Sequence, residues 1–334
     1  MHMADALLSP TVGVTMAAVS VGALAYSASK IKKDDHFDEK QIPMMGVMGA
    51  FVFAGQMINF TIPGTGSSGH IGGGILLAAL LGPYPALLTI AAVLIIQCLF
   101  FADGGLLALG CNIFNMGVLT CLVAYPLIFK PIFKRGFSSR NITVASILAA
   151  IIGLQLGAFS VVLETLASGI TKLPFSTFVL FMQPIHLAIG VVEGLITAAV
   201  LTFIFNMRPE LLQIPSEEGK TNRLSRKQIT VTLLVLAVLI GGGLSLFASS
   251  FPDGLEWSIA GVTGSTELSA NTSIHHAAEG FQKITSFMPD YAFKSDSGSG
   301  TSLAGIVGGG LTLLLAVASG LIIHLFKRRR VEQE

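Results

Sequence analysis

Charge is what this 334-residue chain has least of. Asp, Glu, Lys and Arg make up 12% of it, about half the share found in soluble domains. The 20 basic and 19 acidic residues leave a net charge of +1. There is no basic field interleaved with aromatics, so nucleic acid is excluded as a partner. Cysteine is scarce too: Cys98, Cys111 and Cys121 are odd in number and lack CxxC spacing. That excludes a disulfide framework and a cysteine zinc site, and leaves them as small buried hydrophobes. No Lys or Arg precedes Lys30, so the start lacks the basic region of a cleaved signal peptide. The expectation is that Met1 is retained, since His2 is too large to permit its removal. A GxxxxGK[ST] phosphate loop and an HExxH motif are also missing. The chain therefore reads as no enzyme, binding no resident cofactor, and any ATP-driven motor lies on other chains.

What is present is apolar. Hydrophobic residues reach 52% and the mean hydropathy is +0.75, which predicts an all-α polytopic membrane protein. The 37 glycines suit closely packed transmembrane helices. Nine stretches are candidates for spans, at 11–29, 43–61, 70–82, 85–102, 112–133, 141–166, 184–207, 229–249 and 302–326. The third is short and begins at a glycine-rich loop, and a partial helix leaning on protein neighbours is the alternative there. With the N-terminus outside, 17 of the 20 basic residues fall on inner segments, and only Lys172, Lys283 and Lys294 fall outside. The positive-inside rule thus predicts an extracytoplasmic N-terminus and a cytoplasmic C-terminus. The polar segment 209–228 has linker composition. It divides seven spans in 1–208 from two spans in 229–334, which enclose a polar outer loop at 250–301.

The start, Met1-His2, carries chemistry. The free amine and the His2 amide nitrogen close a five-membered chelate ring on a metal. The amide and imidazole Nδ1 close a six-membered one. Three nitrogens in one plane suit Ni(II), Cu(II) or low-spin Co(II) better than tetrahedral zinc. His70, in the loop NFTIPGTGSSGHIGGG, lies on the same predicted face and offers a fourth nitrogen. From these residues alone, a frayed terminus and a solvated loop histidine compete evenly with a metal site.

Other residues are weaker candidates. Asp5 and Asn59 are possible supports for a ligand imidazole, with Ser9 preferred as the cap of the first helix. Asn112 and Asn115 read as structural amides, and Glu164 as a side chain snorkelling from an outer helix end. His186 and Glu193, seven apart, share a helix face. A proton relay, a metal relay and a hydrogen-bonded strut between helices compete there, the strut being the default. His275 and His276 with Glu279 could take a metal transiently, although a solvated face is commoner. His36 and His324 have no evident partners. Ala18/Gly22 and Ala25/Ser29 permit close helix contact.

Together these residues resemble a known family. MHMADALLSP is similar to the starts MHIPDGFLSP and MHIMEGFLP of CbiM/NikM proteins, the substrate-binding (S) components of energy-coupling-factor nickel and cobalt transporters. The resemblance runs through PMMGVMGAFVFAGQMINFTIPGTGSSGHIGGG, FFADGGLLALGCNIFNMG and HLAIGVVEGLIT, covering about residues 1–208. Pro252 to Glu256 resembles the PDGLE signature of the two-span NikN-like partner, so the whole chain looks like a NikMN-type fusion. Ala6-Leu7-Leu8 departs from the usual Gly-Phe-Leu without touching a proposed ligand.

The resemblance implies a metal site of Met1, His2 and His70, and uptake of Ni2+ or Co2+. It implies partners: a transmembrane coupling subunit and two cytoplasmic ATP-binding cassette subunits, in a prokaryotic cell membrane. A metal-binding membrane sensor or scaffold that does not translocate is the alternative. An intramembrane enzyme using Glu193 and His186 is a third reading. The PDGLE tail favours nickel over cobalt.

Overall fold

The computed structural model describes all residues except 35, 36, 38, 213–223, 267, 271, 294–299 and 332–334. His36, most of the 209–228 linker and the basic residues Lys220, Arg223 and Lys294 lie outside the described residues. Among the described residues the regular structure is helical apart from one small β-hairpin, and six helices are long and apolar enough to cross a membrane. They are α1 (Pro10–Lys33), α4 (Pro83–Phe101), α5 (Leu109–Phe133), α6 (Ser139–Ser168), α7 (Phe175–Met207) and α11, whose apolar part is Gly300–Arg328 and which runs Gly300–Val331. Residues 113–129 of α5 are wound as a π-helix, with Pro126 inside.

Shorter helices fill the interior. α2 (Ile42–Gln56) is apolar on all sides and buried along almost its whole length, as expected of a helix surrounded by other helices. α3 (Gly74–Leu81) has eight residues, a rise of about 12 Å. A single helical crossing needs about 30 Å, so the third span at 70–82 is helical only in part. Residues 70–73 are irregular loop, with Gly73 in the left-handed region, and this loop and α3 together carry the chain from His70 to the turn before α4. Gly82 (φ +84°) and Pro83 then turn the chain directly into α4. The span expected from 184 starts earlier, at Phe175. Pro184 lies inside α7 rather than beginning it.

α6 and α7 form an antiparallel hairpin closed by Gly169 in the left-handed region. Gly190 and Gly194 let α7 approach the backbone of α6 at Ile151 and Ile147. A Cβ at either glycine would stand 2.9 or 2.5 Å from those Cα atoms, the small-residue device of membrane helix packing.

After the linker, α8 (Arg226–Gly242) starts from a Ser225 capping box. The polar segment expected as an outer loop contains two helices, α9 (Gly254–Thr263) and α10 (Ser273–Thr285). α9 packs on α7, and α10 packs on α4. The hairpin strands β1 (Phe60–Ile62) and β2 (Ser67–Gly69) pair antiparallel, with Phe60 opposite Gly69. They deliver the chain to His70. His324, expected to lack a partner, lies 2.9 Å from the Glu39 carboxylate.

Candidate metal centre

The site is built by where α1 begins. Pro10 at the first turn and Ser9 accepting from the Val12 N–H start the helix. Residues 1–8 are therefore free to run inward as a separate segment. Met3, Leu7 and Leu8 are fully buried, so apolar burial anchors it. Asn112 reads its backbone: Oδ1 accepts from Met3 N–H at 2.8 Å and Nδ2 donates to Met3 O at 3.3 Å. This is the supporting role expected of Asn112. Asn115 instead donates to Glu164 Oε2 at 2.8 Å. Glu164 is buried, a correction to its expected snorkelling, and the amide hydrogen bond is what lets it stay inside.

The chain start is thereby brought against the His70 loop. The Met1 amine lies 2.9 Å from His70 Nε2. The rings of His2 and His70 stack at 5.0 Å with 14° between planes. All three residues are nearly buried, Met1 and His70 at 8% exposure.

Donor and acceptor roles follow from the partners. His70 Nδ1 faces the Ile71 carbonyl at 3.1 Å. A carbonyl only accepts, so Nδ1 carries the hydrogen and Nε2 presents its lone pair to the amine. His2 Nε2 faces Gln97 Oε1 at 3.2 Å. Gln97 Nε2 donates to Gln56 Oε1 at 2.7 Å, and Gln56 Nε2 donates to the Gly72 carbonyl at 2.8 Å. That carbonyl can only accept, which orients both amides and makes His2 Nε2 the N–H donor. His2 Nδ1 is left as the lone-pair nitrogen. It lies 3.1 Å from Asp103 Oδ1, and Tyr291 donates its hydroxyl to the other oxygen of Asp103 at 2.5 Å.

Electrostatics favour neutral imidazoles. Burial, helped by the nearby amine, pushes His2 and His70 down to about 3, so both have lone pairs at neutral pH. Burial pushes the Asp103 carboxyl up, which favours a proton shared with His2 Nδ1.

Glu193 is tied to the loop that carries His70. Its oxygens accept from Gly72 N–H at 2.8 Å and Gly73 N–H at 2.9 Å. Gly73 has φ +79°, a conformation that favours glycine. Glu193 is therefore a strut, but to the loop rather than to a second helix. His186 does not share in it: Nδ1 meets the Met182 carbonyl at 2.8 Å, and buried Nε2 has no hydrogen-bond partner among the described residues.

Several candidates fall elsewhere. Asp5 accepts from Ala108 N–H at 2.9 Å and supports no ligand imidazole. Asn59 borders the open cleft of about 650 Å³ that His2, His70, Asp103 and Asp253 line, with no hydrogen bond to Oδ1 among the described residues. His275 is buried rather than solvated. Its Nε2 contacts the Leu8 and Asp5 carbonyls at 2.8 and 3.2 Å, while Thr272 Oγ1 lies 2.6 Å from its Nδ1. Those carbonyls bind it to the N-terminal segment. His276 is exposed, 3.9 Å from Glu279.

Sequence reasoning missed four residues at the site. Asp253 Oδ2 lies 2.6 Å from the Met1 amine. Burial pushes this carboxyl up, but the ammonium outweighs burial and holds it below the usual carboxylate range. Gln97, Gln56 and Asp103 were also unnoticed. Polar side chains in apolar runs, such as Gln97 in α4, were the available signal.

Among the described residues no group of three His, Cys, Asp or Glu side chains is placed to hold a metal. Any metal here needs main-chain nitrogen as well as imidazole, which is what the inserted terminus supplies.

Apolar helices long enough to cross a membrane define a class, a polytopic membrane protein. Comparisons with known proteins add the link to transition metals. Residues 2–211 match the CbiM family model, described as a cobalt uptake substrate-specific transmembrane region, and residues 227–325 match the PDGLE domain. The chain belongs to the CbiM family and carries a fused PDGLE domain. A protein of Archaeoglobus fulgidus, provisionally named as a fused nickel transport protein NikMN, is 32% identical over 95% of this chain and 97% of its own length. The cobalt transport protein CbiM of Sorangium cellulosum is 29% identical over 64% of this chain and 94% of its own. The crystal structure of a truncated transition metal transporter matches with a TM-score of 0.54 and 30% identity, covering 62% of this chain and 99% of that one.

Proposed function

We propose that this chain is the substrate-binding subunit of an ATP-driven energy-coupling-factor transporter for Ni2+ or Co2+ uptake. Four nitrogens hold the metal in a plane: the Met1 amine, the His2 amide, His2 Nδ1 and His70 Nε2. The observation that carries the reading is the 2.9 Å between the Met1 amine and His70 Nε2. Adjacent donors in a planar site with metal–nitrogen bonds of about 2.0 Å stand about 2.8 Å apart. The two lone pairs left free by the Ile71 and Gln97 contacts belong to the required ring nitrogens.

Loading exchanges protons for metal. The ammonium and the His2 amide each lose one proton to solvent as M2+ binds, so two protons leave. His2 Nδ1 also leaves Asp103, because one lone pair cannot serve both a proton donor and a metal.

In this reading the metal-binding unit spans 1–208, the linker 209–228 is cytoplasmic, and 229–334 forms the PDGLE unit. The N-terminus faces outside, as the distribution of lysine and arginine favours. A transmembrane coupling subunit and two cytoplasmic ATP-binding cassette subunits supply the motor. The PDGLE tail and the fused nickel-transport relatives favour nickel.

The test is Ni(II) titration of the purified full chain with its native N-terminus, beside His70→Ala and a chain extended by one residue before Met1. Tight binding with a planar Ni(II) absorption band, lost in both altered proteins, is expected. Binding that survives both changes sinks the site. Binding without accumulation in cells carrying the motor subunits sinks uptake.

A further inference from the structure

One carboxylate of the C-terminal half reaches the N-terminal amine. Asp253 belongs to the PDGLE signature, and its two oxygens do different things. Oδ1 accepts from Leu255 and Glu256 N–H at 2.8 and 2.9 Å, capping α9. Oδ2 reaches away from the helix to the Met1 amine at 2.6 Å and stands 3.9 Å from His70 Nε2. It therefore lies beside two of the four nitrogens proposed to bind metal.

The carboxylate is fixed from several sides. Ser68, two residues before His70, donates from its N–H to Pro252 O and from its hydroxyl to Phe251 O, both at 2.8 Å. Trp257 donates to Thr65 O at 3.0 Å. Glu256 accepts from the Asp253 N–H at 3.0 Å, closing the capping box. The segment 251–257 thus docks on the loop that carries His70.

Charge makes this placement useful. Before loading, Oδ2 faces the terminal ammonium. After loading, a divalent cation bound by one deprotonated amide and three neutral nitrogens carries a net charge of one in the same place. The Asp253 carboxylate faces positive charge in both states. Neither lysine nor arginine lines the adjoining clefts among the described residues, and an uncompensated charge in such a place is costly.

We propose that Asp253 is the counter-charge of the metal centre, a positioning residue that the PDGLE segment supplies. It seats the Met1 amine against His70 before a divalent cation arrives, and it neutralises the planar complex afterwards. This rests on the four-nitrogen site proposed above.

Asp253→Asn and Asp253→Ser test it in the full chain with its native N-terminus. Asn and Ser are both good helix caps, so α9 keeps its start. In the Asn variant the cap takes the amide oxygen and turns an NH2 donor toward the amine. In the Ser variant nothing reaches the amine. Both should weaken Ni(II) binding by about 10- to 100-fold, the usual cost of losing a partner of a metal ligand. In the absence of metal, both should also speed labelling of the Met1 amine by an acylating reagent. A role for Asp253 in capping alone predicts wild-type affinity and labelling for both variants, and that result overturns the proposal. His70→Ala, run alongside, separates the two ideas. If it abolishes binding while the Asp253 variants bind as wild type, only the counter-charge is lost. If His70→Ala binds as wild type, the planar site fails and the counter-charge with it.

Discussion

His2 Nε2 stands 3.2 Å from Gln97 Oε1, and that single contact decides which nitrogen of His2 is free. The direction is enforced through Gln56 by the Gly72 carbonyl, which can only accept. Gln97→Leu removes the acceptor and should weaken Ni(II) binding by about 10- to 100-fold. Gln97→Glu keeps an acceptor and should stay nearer to wild type. Equal affinity for the Leu variant and wild type, by titration, would remove Gln97 from the centre.

Glu193 holds the glycine loop that follows His70 through Gly72 and Gly73. Glu193→Ala orphans two buried N–H groups, each costing about 1–3 kcal/mol. A lower Tm in detergent and weaker Ni(II) binding are expected together. Glu193→Gln retains one acceptor and should fall between. An Ala variant with unchanged Tm and affinity would make the contact incidental.

Proton release reports on the donor set. Two protons per metal are expected in weakly buffered titrations, so each unit fall in pH should cost about 100-fold in affinity while both groups start protonated. His2 and His70 add nothing to this near neutrality, because both sit at about 3. Release of one proton or fewer, at a pH low enough that the amine starts protonated, would exclude binding through a deprotonated amide.

The same histidines set the acid stability of the metal-free protein. Their value is about 3 in the fold against 6.5 ordinarily. Between those limits the unfolded chain binds more protons, so stability falls as pH drops through that window. A thermal-shift series from pH 7 to 3.5 should show the decline, and His70→Ala should make it shallower. A decline of the same steepness in that variant would assign it to other groups.

An acetyl group on the Met1 amine removes one donor and the positive charge facing Asp253. Metal binding should be abolished without loss of helical circular dichroism, since the apolar anchors Met3, Leu7 and Leu8 are untouched. Retained binding would exclude the amine as a ligand.

Much of this was legible before the fold. Met1 with His2 was recognisable because a chelate formed by adjacent residues is local in sequence. His70 was legible from its glycine-rich loop. The long apolar helices followed from hydropathy alone, while α3 shows the limit of that signal. Apolar composition at 70–82 cannot reveal that the first four residues are loop, because the N–H groups of Gly72 and Gly73 are taken by Glu193, 121 and 120 residues away. Asp253 read only as part of a signature, since its partner lies 252 residues away.

The sequence by itself determined the membrane class, the family and which residues are proposed as donors, because composition, hydropathy and adjacent chelating atoms are properties of neighbouring residues. Only the tertiary structure decided which atoms of those donors are available. Imidazole tautomers, the orientation of the two amides and the placement of the Asp253 carboxylate depend on hydrogen-bond partners that have no fixed separation along the chain.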